Sequence, residues 1–117
     1  MAKPSSTRDR GRAGEDRAAA FLLEQGLELL ARNVTSFGAE LDIIAREGET
    51  IAFVEVRSRA DADRGHPFET IDARKQARIR RAASGWLIER DLWERVPVRF
   101  DAIANVGDEL EWLKNCF

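Results

Sequence analysis

Apolar residues recur with helical spacing near the start of the chain. Ala18, Phe21, Leu22 and Gln25 share one stripe, with Ala19 and Leu23 beside it. That pattern predicts a helix from about Arg12 to Gln25, which Gly26 is placed to end. Leu27 to Ala31 predicts a short strand, and Asn33-Val34-Thr35-Ser36-Phe37-Gly38 a turn. Glu40 to Arg46 and Thr50 to Arg57 are the clearest strands, joined by Glu47-Gly48-Glu49 into a hairpin. Ser58 to Thr70 has no period, carries Gly65 and Pro67, and reads as a long loop. A second helix is predicted from an N-cap at Asp72 to about Arg90, with Ile79, Ala82, Ala83, Trp86 and Leu87 as its apolar stripe. Beyond Pro97, Val98 to Ala104 and Glu109 to Leu113 are two further strands around a Val-Gly-Asp turn. Helix, three strands, helix, two strands predicts a mixed α/β (α+β) fold with the helices packed on a central mixed sheet.

The length of 117 residues is that of one domain. Residues 1–10 read as a disordered tail, short and polar with Pro4, and residues 11–117 as the single domain. Hydrophobic residues at 44% and charged residues at 34% fit a soluble globular protein, and no apolar run is long enough for a membrane span. The N-terminus lacks the apolar segment of a signal peptide, and Cys116 is the sole cysteine. Both point to a cytoplasmic protein.

A net charge of −2 does not itself suggest a polyanionic partner, but its distribution changes the picture. Between Arg57 and Arg81 stand Arg57, Arg59, Arg64, Arg74, Lys75, Arg78, Arg80 and Arg81 against Asp61, Asp63, Glu69 and Asp72. A local basic excess of this kind suits nucleic acid; it equally suits a solvated helix face.

The chemistry concentrates in the hairpin. Glu55 interrupts Ile-Ala-Phe-Val-Glu-Val, and Asp42 interrupts Leu-Asp-Ile-Ile, two runs that otherwise read as central strands. An isolated buried charge is costly, so each acid must be paired, metal-bound or at a rim. If Arg46 pairs with Ile51, Asp42 lies opposite Glu55; if Arg46 pairs with Glu49, the two are diagonal. In either register they share a face with Glu40 and Arg57. Such acids repel unless a proton or a cation lies between them, and Mg²⁺ or Mn²⁺ with its taste for oxygen would serve. A surface salt-bridge ladder of Glu40, Asp42, Glu55 and Arg57 would also satisfy the pattern.

Asp42 followed by Glu55-Val56-Arg57 resembles the PD-(D/E)xK signature of the restriction-endonuclease-like superfamily. The wider match is to its YraN family. It is carried by Gly14-Glu15-Asp16-Arg17-Ala18-Ala19, Ala39-Glu40-Leu41-Asp42-Ile43-Ile44-Ala45, Phe53-Val54-Glu55-Val56-Arg57-Ser58-Arg59, Arg74-Lys75-Gln76, Arg99-Phe100-Asp101 and Trp112-Leu113-Lys114-Asn115-Cys116-Phe117. The resemblance implies a core of helix, three-stranded meander, helix and strand. It further implies that Asp42, Glu55 and the Val56 carbonyl hold the metal, and that residue 57 positions or activates water. Glu15 matches a first-helix glutamate that related Holliday-junction resolvases place near the metal, although acids are favoured at helix starts anyway. The chain departs from the family at Arg57, where lysine is usual. Arginine keeps its proton and grips phosphate as a fork, so it suits transition-state contact better than base chemistry. Lys75 is a second source of an ammonium group.

The resulting expectation is a metal-dependent nuclease acting on DNA, branched or single-stranded, with Asp42, Glu55 and Arg57 as its catalytic set. Arg59, Arg74, Lys75 and Arg78 would track the backbone, with Glu40 and Gln76 as further candidates. Two rivals are a nucleic-acid-binding module without turnover, and a protein–protein adaptor using Trp86 and Trp93. His66 reads as a solvent-facing loop residue. Trp86, Trp93 and Trp112 read as core or as contacts of a homodimer, and Cys116 as an incidental terminal residue.

Overall fold

A strand apolar on both faces must be covered on both, and Ile43, Ile44, Ala45, Ile51, Ala52, Phe53 and Val54 are all buried. The computed structural model describes residues 7–58 and 67–117. Helix α1 spans Thr7–Glu24 and is followed by strands β1 (Glu28–Ser36), β2 (Ala39–Glu47) and β3 (Thr50–Ser58). A single 3-10 turn at Pro67–Thr70 leads into α2 (Ala73–Glu89), then β4 (Val98–Val106) and β5 (Glu109–Leu113). The five strands form one sheet in chain order, antiparallel throughout except for the parallel pair β3–β4 that α2 bridges. No helix among the described residues is long and apolar enough to cross a membrane.

Each helix covers one face. Ala18, Ala19 and Leu22 of α1 pack on Ile43, Ala45, Ala52, Val54 and Ile103. Ile79, Ala82, Ala83, Trp86 and Leu87 of α2 pack on Ile44, Ile51, Phe53 and Phe100. Phe53 meets the Trp86 ring edge-on at 5.9 Å and stacks on Phe100 at 5.6 Å. The mixed α/β fold and element order are those predicted, and the order matches the helix–meander–helix–strand core that the resemblance implies.

Several boundaries differ. Helix α1 begins at Thr7, so residues 7–10 are helical rather than tail; residues 1–6 lie outside the described part. Leu23 and Gln25 face solvent, because the buried stripe is narrower than the pattern suggested. Strand β1 runs on through Asn33 to Ser36, where a turn was expected. Asn33 takes a left-handed φ of 53° inside the strand, and the register shifts between Leu29 and Ala31. The turn itself is only Phe37-Gly38, both at positive φ, the geometry that closes a two-residue hairpin. Strand β4 extends two residues beyond Ala104, to Val106.

Trp86 is core, and Trp112 is half-buried with its ring against Phe21. Trp93, by contrast, is 46% exposed, in the loop after α2 where Asp91 and Glu94 turn the chain at positive φ. The Cys116 N–H donates to the Phe100 carbonyl at 2.8 Å, and Phe117 stacks on Phe100. The C-terminal segment is thereby clasped to β4.

Candidate metal centre and nucleic-acid interface

The β2–β3 pairing adopts the register that sets Arg46 against Ile51, the first of the two predicted alternatives. Its ladder nevertheless stops at Ile43–Val54, one step short of Asp42 and Glu55. Side chains take over there: the Asp42 carboxylate accepts from the Val56 N–H at 2.9 Å, and the Asp42 N–H donates to Glu55. The strands part at that point, and a polar cavity of about 530 Å³ opens between them and the two helices.

Helix α1 reaches this cavity because it lies close on β4. A Cβ at Gly14 would stand 2.8 Å from Asn105 Nδ2, which donates to the Gly14 carbonyl. The next residue, Glu15, is thereby delivered to the cavity, where Arg32 of β1 holds it at 3.3 Å. Arg32 also binds Asp16 at 2.6 Å, and the Asn33 side chain bonds Glu15. From the other face, the Asp72 side chain caps α2 by accepting from the Lys75 N–H at 2.8 Å. That contact sets Lys75 at the cavity wall, its Nζ 3.8 Å from Glu55 Oε1. Arg57 NH2 stands 3.9 Å from the same oxygen, and its Nε and NH2 have no hydrogen-bond partner among the described residues.

The acids are arranged differently from the expected pair. Carboxylate oxygens of Glu15, Glu40 and Asp42 lie within 4.8 Å of one another. Glu55 stands behind them, 2% exposed. Burial raises the Glu55 pKa to about 7, with the Asp42 charge adding to the rise and Lys75 and Arg57 opposing it. Asp42 is raised chiefly by burial, against the lowering effect of the Val56 N–H. Glu15 is raised by burial and then by Asp42. Acids that resist ionising together are acids a divalent cation would relieve, and an all-oxygen trio fits a hard ion such as Mg²⁺ or Mn²⁺.

The other predicted positions separate cleanly. Val56 lines the cavity. Arg78 lines an adjoining cavity with Gly38, and the two cavities share Glu40, Asp42 and Lys75. Arg74 is exposed on α2 outside both. Gln76 is spent locally, donating to the Ile71 carbonyl at 3.0 Å. Arg59 and His66 lie outside the described residues. Arg12, Arg32 and Asn33 belong to the site's surroundings and were missed. Asn33 carried a signal, since asparagine tolerates the left-handed region that bulky residues avoid.

A model of uncharacterised protein family UPF0102 matches residues 14–104, a span that contains every acid of the site together with Arg57 and Lys75. A UPF0102 protein of Pseudomonas putida (strain W619) is 43% identical, over 100% of this chain and 97% of the relative. One from Halorhodospira halophila is 40% identical over 100% and 97%. One from Pseudomonas aeruginosa (strain LESB58) is 39% identical over 100% and 98%. Similarity of this extent, running the length of each relative and through the whole site, makes the chain a member of uncharacterised protein family UPF0102.

Proposed function

We propose that the chain is a divalent-metal-dependent nuclease hydrolysing phosphodiester bonds, in DNA that is branched or single-stranded. The observation that carries this reading is the carboxylate trio of Glu15, Glu40 and Asp42, within 4.8 Å and open to a cavity that Arg57 and Lys75 also reach. A bound Mg²⁺ or Mn²⁺ would supply Lewis acidity toward water and a phosphate oxygen. Asp42 is the central ligand, assisted by Glu15 and Glu40. Glu55 bears on the same charge balance from behind Asp42, and the Val56 carbonyl stays a candidate ligand by resemblance.

The cations then divide the work. Arg57 lines the cavity, and its Nε and NH2 lack hydrogen-bond partners among the described residues, so its planar guanidinium holds the scissile phosphate and stabilises charge in the transition state. Lys75 brings an ammonium from α2 to the same oxygen of Glu55, the group that strand position 57 lacks. Its neighbour Glu55, raised to about 7 chiefly by burial, is suited to exchange a proton with water. Arg74 and Arg78 extend the cationic surface along α2.

The test is calorimetric titration of Mn²⁺ into wild type, Glu15→Gln and Glu55→Ala, followed by cleavage assays on branched and single-stranded DNA. Mn²⁺ binding weakened about tenfold or more by Glu15→Gln, and cutting lost in a folded Asp42→Ala, are the expected results. Absence of Mn²⁺ binding to wild type would sink the reading. A second reading, a binding module without turnover, is favoured by the arginine at position 57. It predicts salt-sensitive DNA binding and no cleavage by wild type or Arg57→Lys. Binding of neither metal nor DNA would leave the adaptor role.

A further inference from the structure

We infer that the β1–β2 turn and the arginine face of α2 form a subsite for an unpaired nucleobase, with Phe37 as its stacking platform. The inference rests on the nuclease reading for its choice of nucleic acid, and goes beyond it in assigning the residues that take up an unpaired base.

Phe37 is an unusual residue in three respects. It is 67% exposed, the most exposed of the large hydrophobic side chains among the described residues. It sits at a positive φ of 49°, a conformation that bulky side chains seldom take. And its ring lies against Gly85 of α2, where an added Cβ would come within 2.0 Å of Cε2. Ser36 ties the turn down beside it, its Oγ donating to the Ala82 carbonyl at 3.0 Å. A large apolar ring seated against a helix backbone and open to water on its other side offers a surface for something to stack on.

The surroundings identify the occupant. Helical spacing places Arg74, Arg78, Arg81 and Gly85 on one face of α2, over about 16 Å of helix. The three arginines are exposed and take part in no ion pair among the described residues. This basic line ends under Phe37. It also borders the cavity of Gly38, Lys75 and Arg78, which shares Glu40 and Asp42 with the candidate metal centre. Aromatic platform, cationic track and acid cluster therefore form one continuous surface. Stacking on an aromatic ring needs a base whose face is open, as in a single strand or at a branch, whereas a paired and stacked base offers none.

The experiment is fluorescence anisotropy of the full chain with labelled single-stranded DNA, single-stranded RNA of the same sequence, and blunt duplex DNA. Ca²⁺ replaces Mn²⁺ so that the acids are occupied during the measurement. Phe37→Ala is expected to weaken single-strand binding by about tenfold while changing duplex binding less than about twofold. Phe37→Trp should retain affinity. Gly85→Ala, which must displace the ring, should reproduce the Phe37→Ala loss, with circular dichroism showing that both variants fold. Equal losses on single strand and duplex, no loss at all, or no binding by wild type would each overturn the inference. DNA and RNA arms identify which strand is preferred. Cleavage with Mn²⁺, read separately, distinguishes the failures. Wild-type cutting with a neutral Phe37→Ala removes the subsite alone, and Phe37-dependent binding without cutting removes the nuclease alone.

Discussion

Glu55 on β3 and Asp101 on the adjoining β4 are both buried carboxylates in one sheet, 2% and 0% exposed, yet their surroundings are opposite. Asp101 is fully furnished. Arg99 Nε donates to both of its oxygens at 3.1 Å, Trp112 Nε1 to one at 3.1 Å, and the Asn115 N–H to the other at 2.9 Å. Arg99 passes on to Glu47 at 2.7 Å, so the charge is neutralised through a chain of contacts. Glu55 accepts from the Asp42 N–H but faces two cations at 3.8 and 3.9 Å, beyond hydrogen-bond reach, and the Asp42 carboxylate that repels it. The contacts that fill both Asp101 oxygens clasp the C-terminal segment, although Arg99 NH2 has no hydrogen-bond partner among the described residues; the sparser set around Glu55 leaves room for a cation or a substrate. The contrast separates structural acids from acids available for chemistry.

The largest effect should come from breaking the completed side. Asp101→Ala takes from half-buried Arg99 its buried partner, leaving it Glu47 alone, and leaves the Trp112 indole N–H and the Asn115 N–H without their acceptor. Removing one partner of a buried charge network costs about 3–5 kcal/mol. Chemical denaturation should show that loss as a shift in midpoint at nearly constant slope. Asp42→Ala should cost far less, since it also relieves Glu55 of a repelling neighbour. Equal losses for the two variants would erase the distinction.

The two regions should also titrate with opposite signs. Folded Glu55 holds its proton up to about pH 7, whereas the unfolded chain releases it near the ordinary value of 4.5. Between those values the native state binds more protons, so stability is greatest below the lower value and falls as pH rises. The full swing is about 3 kcal/mol. Asp42 and Glu15, also raised, act in the same direction. Glu47, in the Asp101 network, is lowered by its bond to Arg99, so its contribution is present at neutral pH and lost as pH falls below 4.5. Urea denaturation across this range should show the alkaline decline in wild type and a flatter curve in Glu55→Gln. Saturating Mn²⁺ should oppose the decline. A decline unchanged in Glu55→Gln would assign it to other groups.

The sequence signal at these two acids was the same, a carboxylate within an apolar strand, and only its surroundings differ. Glu55 in Phe-Val-Glu-Val and Asp101 in Arg-Phe-Asp-Ala-Ile are alike as strings. Strand positions were legible, and the β2–β3 register to one of two alternatives that keep Asp42 and Glu55 on one face, because apolar alternation and the Gly48 turn act locally. What supplies or withholds donors is tertiary: Trp112 and Asn115 reach Asp101 only because β5 and the tail fold back on β4. Glu15 was legible only through family resemblance, since its place depends on the Gly14–Asn105 approach and on Arg32. The break in the β2–β3 ladder was not legible either. Periodicity at Asp42 continues as if pairing did, and only the Val56 contact reveals that a side chain has replaced it.

The smallest effect makes the comparison sharpest, because it removes one donor from each acid. Trp112→Phe keeps an aromatic ring, though a smaller one, against Phe21 and deletes the N–H that Asp101 accepts. A hydrogen bond to a charged group contributes about 1.5–3 kcal/mol, and Asp101 retains Arg99 and Asn115, so a loss near the lower value is expected. Lys75→Met removes the ammonium facing Glu55, and should change stability at pH 7 by no more than about 0.5 kcal/mol. The reason is that Glu55 can answer by taking up a proton, since burial and Asp42 already favour its neutral form. Thermal denaturation of the two variants side by side reads the difference. If Lys75→Met matched or exceeded Trp112→Phe, the Lys75–Glu55 contact would be a structural ion pair. The incomplete side of the sheet would then be held as firmly as the complete one.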